Sequence, residues 1–210
     1  MSAAFAPNHD DEDGLTPLLR GRRDAVLDAV QPLLAAEGVD VTMDQLAAAA
    51  HIGRRTLFRY FPSREALIAA AVRRSYDRLL AEVFEAPPQG LGPEDTIRSV
   101  LQRTHEVAER MGRAHWQVAA DPESHGELGD AVAARQQARA RYVQRFTDLL
   151  WARARMTGEP PRWLVDAFGL VESLFAFQAL QRDFGRSSEE IVETTTTIMI
   201  AALHEAVGVE

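Results

Sequence analysis

The chain has 210 residues, 46% of them hydrophobic, enough for one large core or for a small domain joined to a larger one. Cysteine is absent, which excludes disulfides, thiolate metal sites and a cysteine nucleophile and fits a reducing compartment such as the cytoplasm. A net charge of -8 argues against nucleic acid for the chain as a whole, but residues 15–80 carry ten Arg against seven acidic residues while residues 81–210 carry thirteen against twenty, so the basic charge gathers near the N-terminus.

The opening segment MSAAFAPNHDDEDG lacks the basic start and apolar run of a secretory signal, and no later stretch approaches a membrane span of 18 apolar residues. Residues 1–16 therefore read as a disordered acidic tail, and no membrane partner is expected. Helical periodicity dominates everything after it, and the class is all-α with about nine helices. The first helix runs from Pro17 to Glu37 with Val26, Leu27, Val30, Leu33 and Leu34 on one stripe, interrupted by Pro32 and ended by Gly38. Thr42-Met-Asp-Gln45 has the spacing of a capping box opening a short helix, Met43 to Ala50. His51-Ile52-Gly53 interrupts it. A second short helix spans Arg54 to Tyr60 and stops before Pro62, and Ser63 caps a long helix reaching Phe84.

The run APPQGLGP from Ala86 to Pro93 is the clearest break in the chain. Further helices are expected over Glu94–Met111, Ala114–Ala120, Leu128–Met156, Pro161–Phe184 and Ser188–Val207, separated by DPESHGELG, TGEPP and GRSS. The domain division is 17–80 for an N-terminal three-helix helix-turn-helix domain and 81–210 for a larger C-terminal helical domain that binds a ligand and dimerises.

On a helical wheel, Leu57, Phe58 and Phe61 share one arc of the Arg54–Tyr60 helix, while Arg55, Thr56, Arg59 and Tyr60 take the other. The apolar arc can dock on Leu46, Ala47, Ala50, Val30 and Leu34. The polar arc, with Arg54 at its start, suits a DNA major groove, where arginine reads guanine with two hydrogen bonds. A merely solvated arginine face is the alternative, and the helix-turn-helix spacing weighs against it.

VTMDQLAAAAHIGRRTLFRYFPSREAL resembles the TetR-family signature, with a Thr opening the second helix, an LAxxA body, a three-residue turn, a TLF-x-YF recognition helix and a PSREAL start to the fourth. The match covers Leu19 to Leu79. The resemblance implies that Thr42 and Arg64 contact phosphates and that Arg54, Arg55, Thr56, Arg59 and Tyr60 face double-stranded DNA. Arg64 stands where the family usually has Lys, His51 replaces the turn glycine, Gly53 replaces a Ser cap, Arg55 often corresponds to a glycine, and Phe58 stands where Tyr is common. A phosphate bond from that missing hydroxyl cannot form, so Tyr60 is the candidate to supply one.

The Pro161–Phe184 segment is apolar around most of its circumference, with Leu164, Phe168, Val171 and Phe175 on one stripe and Ala167, Leu170, Leu174 and Phe177 on a neighbouring one. Such a helix is buried on two sides, one facing its own core and the other a second subunit. Ile191, Ile198, Met199, Leu203 and Val207 make the last helix its companion. The resemblance implies a homodimer through the last two helices; an all-internal core is the alternative. Residues that could line an apolar pocket for a small hydrophobic effector are His105, Met111, His115, Trp116, Phe146, Trp151, Phe168, Phe175 and Gln178, each of which can also serve as plain core.

Enzyme motifs are missing: there is no GxSxG elbow, GxGxxG loop or Walker motif. His105-Glu-Val-Ala-Glu109 lacks the second His of a zinc helix, and no two of the six histidines stand at i, i+3 or i, i+4, so neither a metal nor a cofactor is expected. The reading is a palindrome-binding repressor released by an effector. An architectural helix-turn-helix protein without effector control is the alternative.

Overall fold

A computed structural model of the chain describes residues 16–84, 89–120 and 126–208, and among them it is all-helical, with nine helical elements. The expected tail, apart from Thr16, and parts of two expected linkers lie outside the described residues. The elements are α1 (Pro17–Glu37), α2 (Met43–Ala49), α3 (Arg54–Tyr60), α4 (Arg64–Phe84), α5 (Pro93–Ala120), α6 (Gly126–Arg153), α7 (Arg162–Val171), α8 (Leu174–Arg182) and α9 (Ser188–Val207). No single helix among the described residues is long and apolar enough to cross a membrane.

Contacts divide the chain into two compact units, and the division does not follow residue 80. The first unit takes the described residues of Met1–Glu85 together with those of Ala108–Ala133; the second takes those of Ala86–Val107 and Ala134–Glu210. The reason lies in the first unit's core. Val30 and Leu34 of α1, Leu46 of α2, Leu57, Phe61 and Leu67 are closed over by Ala114, Val118 and Val132, which come from α5 and α6. Removing each such leucine from water stabilises the fold by about 1.5–3 kcal/mol, so the segment that covers them belongs to that core.

Two glycines mark where α5 meets α1. Gly112 breaks α5 at φ 67°, and a Cβ there would fall inside the van der Waals surface of Ala35. Gly38 ends α1 at φ 87°, against the Gln117 side chain, whose Oε1 accepts from Val39 N at 2.8 Å. The expected break near residues 112–113 is thus present as a kink at a close helix approach. Arg74 donates to Asp24 at 2.8 Å and Asp28 at 3.1 Å, and Arg78 donates to Asp28 at 2.6 Å, fastening α4 to α1. Desolvation raises the Asp28 carboxyl, but the hydrogen bonds and charges of the two arginines outweigh it and hold it below its usual value.

The second unit packs Ile97, Leu101, Leu150, Leu164, Phe168, Ile191, Met199 and Leu203 in its interior. Phe146 stacks on Tyr142 at 5.8 Å and tilts against Phe168 at 6.5 Å. Within the Thr194–Thr197 run of α9, Thr194, Thr195 and Thr197 donate their hydroxyl protons to carbonyls four residues back, which satisfies the hydroxyls without an outside partner. The largest correction to the sequence reading is here: the helix expected over Pro161–Phe184 is two helices, α7 and α8, bent by 45°. Ser173 accepts from Ala176 N at 3.1 Å and starts α8 afresh, while Arg139 donates to the Gly169 carbonyl near the end of α7. Both contacts take over backbone groups that a continuous helix would pair internally. Smaller differences are that α2 ends at Ala49 and that α6 begins at Gly126 and ends at Arg153, before Arg155 turns the chain at φ 60°.

Candidate nucleic-acid interface

The geometry of α3 begins in the turn before it. His51 adopts φ 53°, the left-handed conformation a glycine would take without strain, and the turn closes through His51 N to Ala48 O and Ile52 N to Ala47 O, both at 3.1 Å. Gly53 at φ -69° needs no special freedom and gives α3 no side-chain cap. The departures at 51 and 53 therefore leave the three-residue turn formed, with the strain at His51.

Leu57 and Phe61 are fully buried and seat α3 on the core. Phe58 departs from the expected packed arc: it is 40% exposed, with the Arg54 guanidinium 5.6 Å from its ring. Leu57 and the C-cap residue Phe61 take the places against the core instead. Arg54, Arg55 and Arg59 are exposed; Thr56 and Tyr60 are half-buried at the edges.

These arginines are partly preset. Arg54 Nη1 donates to both carboxylate oxygens of Asp44 at 3.2 Å, an exposed pair worth under about 1 kcal/mol and so readily exchanged for a stronger acceptor. Arg59 Nη2 donates to Tyr60 Oη at 3.3 Å. That bond is the largest influence lowering the Tyr60 hydroxyl from its usual range, and Arg22 of α1 adds to it against a weaker opposing effect of desolvation. Arg22 was missed by motif reasoning; the basic run Arg20-x-Arg22-Arg23 was the available signal.

The two expected phosphate contacts are committed to structure. Thr42 closes the capping box, donating from Oγ1 to Gln45 Oε1 at 2.8 Å and accepting from Gln45 N at 3.3 Å. Arg64 donates from Nη1 to the Val39 and Val41 carbonyls at 3.2 Å and pairs with Glu65 at 2.8 Å, so it holds the α1–α2 loop that Gln117 grips from the other end. Gln117 too was invisible in the sequence, because a partner 78 residues away leaves no local pattern.

The nine candidate pocket residues do not form one cluster. Met111, His115 and Trp116 lie in the first unit, where Met111 and His115 line a cavity of about 10 Å3 with Gln31, Leu34 and Val72; it has room for a water and not for an effector. In the second unit His105 meets Phe177 at 5.3 Å, Phe146 and Phe168 are core, and Gln178 is half-buried. Phe175 is 66% exposed, because the restart at Ser173 shifts the helical phase and turns Phe177 inward in its place. Trp151 lines a cavity of ligand size, about 470 Å3. Among the described residues, no group of three or more His, Asp or Glu is placed to hold a metal.

Comparison with known proteins places this arrangement. Residues 26–71 match the family model for bacterial regulatory proteins, tetR family, which spans α1 from Val26 to the first turns of α4. The HTH-type transcriptional repressor KstR of Mycolicibacterium smegmatis is 30% identical over 149 residues, 67% of this chain and 66% of that protein; the matched region thus falls just short of two thirds of the relative's length. Among solved structures, a TetR-family transcriptional regulator from Streptomyces coelicolor has a TM-score of 0.68 at 19% identity, covering 90% of this chain and 97% of that one. The TetR-like regulator LfrR from Mycobacterium smegmatis, in complex with proflavine, has a TM-score of 0.56 at 23% identity, covering 87% and 97%. At these identities the structural likenesses establish the fold, and the curated relatives are regulators rather than enzymes.

Proposed function

The chain belongs to the TetR family of bacterial regulatory proteins, and from that premise we propose that it is a cytoplasmic, homodimeric transcriptional repressor that binds a palindromic operator and releases it on binding a small hydrophobic effector. The observation that carries the reading is the exposed face of α3: three arginines on seven residues, seated by Leu57 and Phe61 on a core that holds the helix rigidly. Arg54, Arg55 and Arg59 read bases, with Thr56 and Tyr60 at the groove edge. Arg22 joins Tyr60 as a phosphate contact. Thr42 and Arg64 act chiefly by shaping the loop and the start of α2, and contact phosphate through what their internal bonds leave free.

Dimerisation through the last two helical segments is supported by apolar side chains left in solvent there: Leu170 is 69% exposed and Ile198 46% exposed, while Leu164, Phe168 and Met199 of the same helices fill the core. A two-fold dimer requires operator half-sites about 10 base pairs apart, centre to centre. Residues 17–80 carry the DNA contacts and the rest of the chain carries sensing and pairing. The described residues of 108–133 connect the two roles, since they belong to the first unit, where Gly112, Gln117 and Glu127 touch Ala35, Val39 and Ser63, and are covalently continuous with the second. An effector that favours a different placement of this segment would shift the population away from the DNA-competent form. LfrR, a relative, has been crystallised with proflavine, which supports a small-molecule effector.

The test is fluorescence anisotropy of the full chain against its own upstream intergenic DNA and a random duplex, at physiological salt. A preference of about a thousandfold or more supports the reading; weak, equal binding to both favours an architectural protein instead.

A further inference from the structure

Within the second unit, the C-terminal end of α6 and the loop after it enclose the half-open cleft of about 470 Å3 that Trp151 lines. Its walls are pre-formed. Ala154 N donates to Leu150 O at 2.9 Å, Arg155 N to Ala152 O at 3.0 Å and Met156 N to Trp151 O at 3.1 Å, which closes the helix end. Arg155 and Gly158, both at positive φ, then turn the chain back, and the Trp151 indole N–H donates to the Thr157 carbonyl at 3.4 Å. A ligand entering such a cleft orders little that is not already ordered, which favours affinity.

The lining has two kinds of surface. Trp151, Met156 and Pro160 offer apolar contact, while Gln144, Asp148 and Glu159 are polar. Gln144 Nε2 donates to Asp148 Oδ1 at 2.9 Å, which steadies that carboxylate. The lining holds two carboxylates and no arginine, and Arg153 on the same turn of α6 donates to Thr96 Oγ1. The volume lies within the range of about 300–1,000 Å3 typical of small-molecule sites.

We infer that this cleft binds an organic cation with a bulky apolar body, the body lying against Trp151, Met156 and Pro160 and the charge near Asp148 and Glu159. Anions are repelled by both carboxylates, and a small hydrophilic cation gains nothing from the apolar wall. The site concerns ligand binding alone and stands whether or not its ligand controls DNA binding.

The probe is tetraphenylphosphonium, titrated calorimetrically into the full-length protein at low salt, with tetraphenylborate as an anion of the same shape. The cation is expected to bind at least tenfold more tightly than the anion. Asp148→Asn with Glu159→Gln is expected to weaken the cation about tenfold or more, since each exposed carboxylate contributes a factor of a few at low ionic strength. Glu37→Gln with Asp40→Asn, which removes the same charge from the first unit, is expected to leave it unchanged. Absence of binding, equal binding of the anion, a double variant at 148 and 159 that binds as well as the wild type, or an equal loss in the two double variants would each overturn the site.

Discussion

The outer faces of α3 and of α7–α8 are both exposed in the single chain, yet they present opposite chemistry. α3 shows Arg54, Arg55 and Arg59, whose charges are well solvated until an anion displaces water and counterions. α7 and α8 show Leu170 and Phe175, for which water is a poor environment whatever the salt. The contrast teaches that exposure is informative only with its chemistry: a charged face calls for a polyanion and loses affinity as salt rises, whereas an apolar face calls for another apolar face and is barely sensitive to salt.

The strongest way to break this comparison is Leu170→Asp. A carboxylate in the proposed pairing face is expected to convert the proposed dimer to monomer in sedimentation velocity at micromolar concentration, and a variant that stayed dimeric would remove α7 from the interface. Arg59→Ala comes next, with a loss of about 1–3 kcal/mol in operator binding by anisotropy, an unchanged circular dichroism spectrum and a shallower salt dependence. Gly112→Ala should cost about 2–3 kcal/mol in urea unfolding, since a Cβ at φ 67° meets the Ala35 backbone.

Glu172, at the break between α7 and α8, sharpens the second half of the comparison through pH. Burial pushes its carboxyl up to about 7, against the lowering effects of Arg139 and of Tyr142, whose hydroxyl lies 3.2 Å away. A carboxyl whose folded pKa is raised binds its proton more tightly in the folded chain, so stability falls as pH rises from about 4.5 to about 7 and stays low above that. Because the side chain is partly exposed, Glu172→Gln is expected to raise stability at pH 8 by about 1–2 kcal/mol, and to change it little at pH 4, in thermal melts at the two pH values. The smallest effect is His51→Gly, which removes a left-handed strain and should stabilise the turn by about 1 kcal/mol in the same melts.

Local patterns carried much of this molecule. The capping box at Thr42–Gln45, the ends of α1 and α3, and the cap at Ser63 can be read along the chain because each is made within a few residues. Leu57 and Phe61 were legible for the same reason; Phe58 was not, because a wheel assigns an arc and only the neighbouring helices decide how many side chains that arc can seat.

Sequence alone thus determined an all-helical chain with a short arginine-bearing helix after a three-residue turn, since periodicity, caps and charge are encoded at separations of three and four residues. Tertiary structure alone decided three things. It placed the described residues of 108–133 on the first unit, through close approach at Gly112 and the Gln117–Val39 bond. It broke Pro161–Phe184 at Ser173, where the apolar pattern ran on unbroken. It also committed Arg64 to the Val39 and Val41 carbonyls rather than to open solvent. In each case the partner is far along the chain or is a backbone group, and neither leaves a mark in the spacing of residue types.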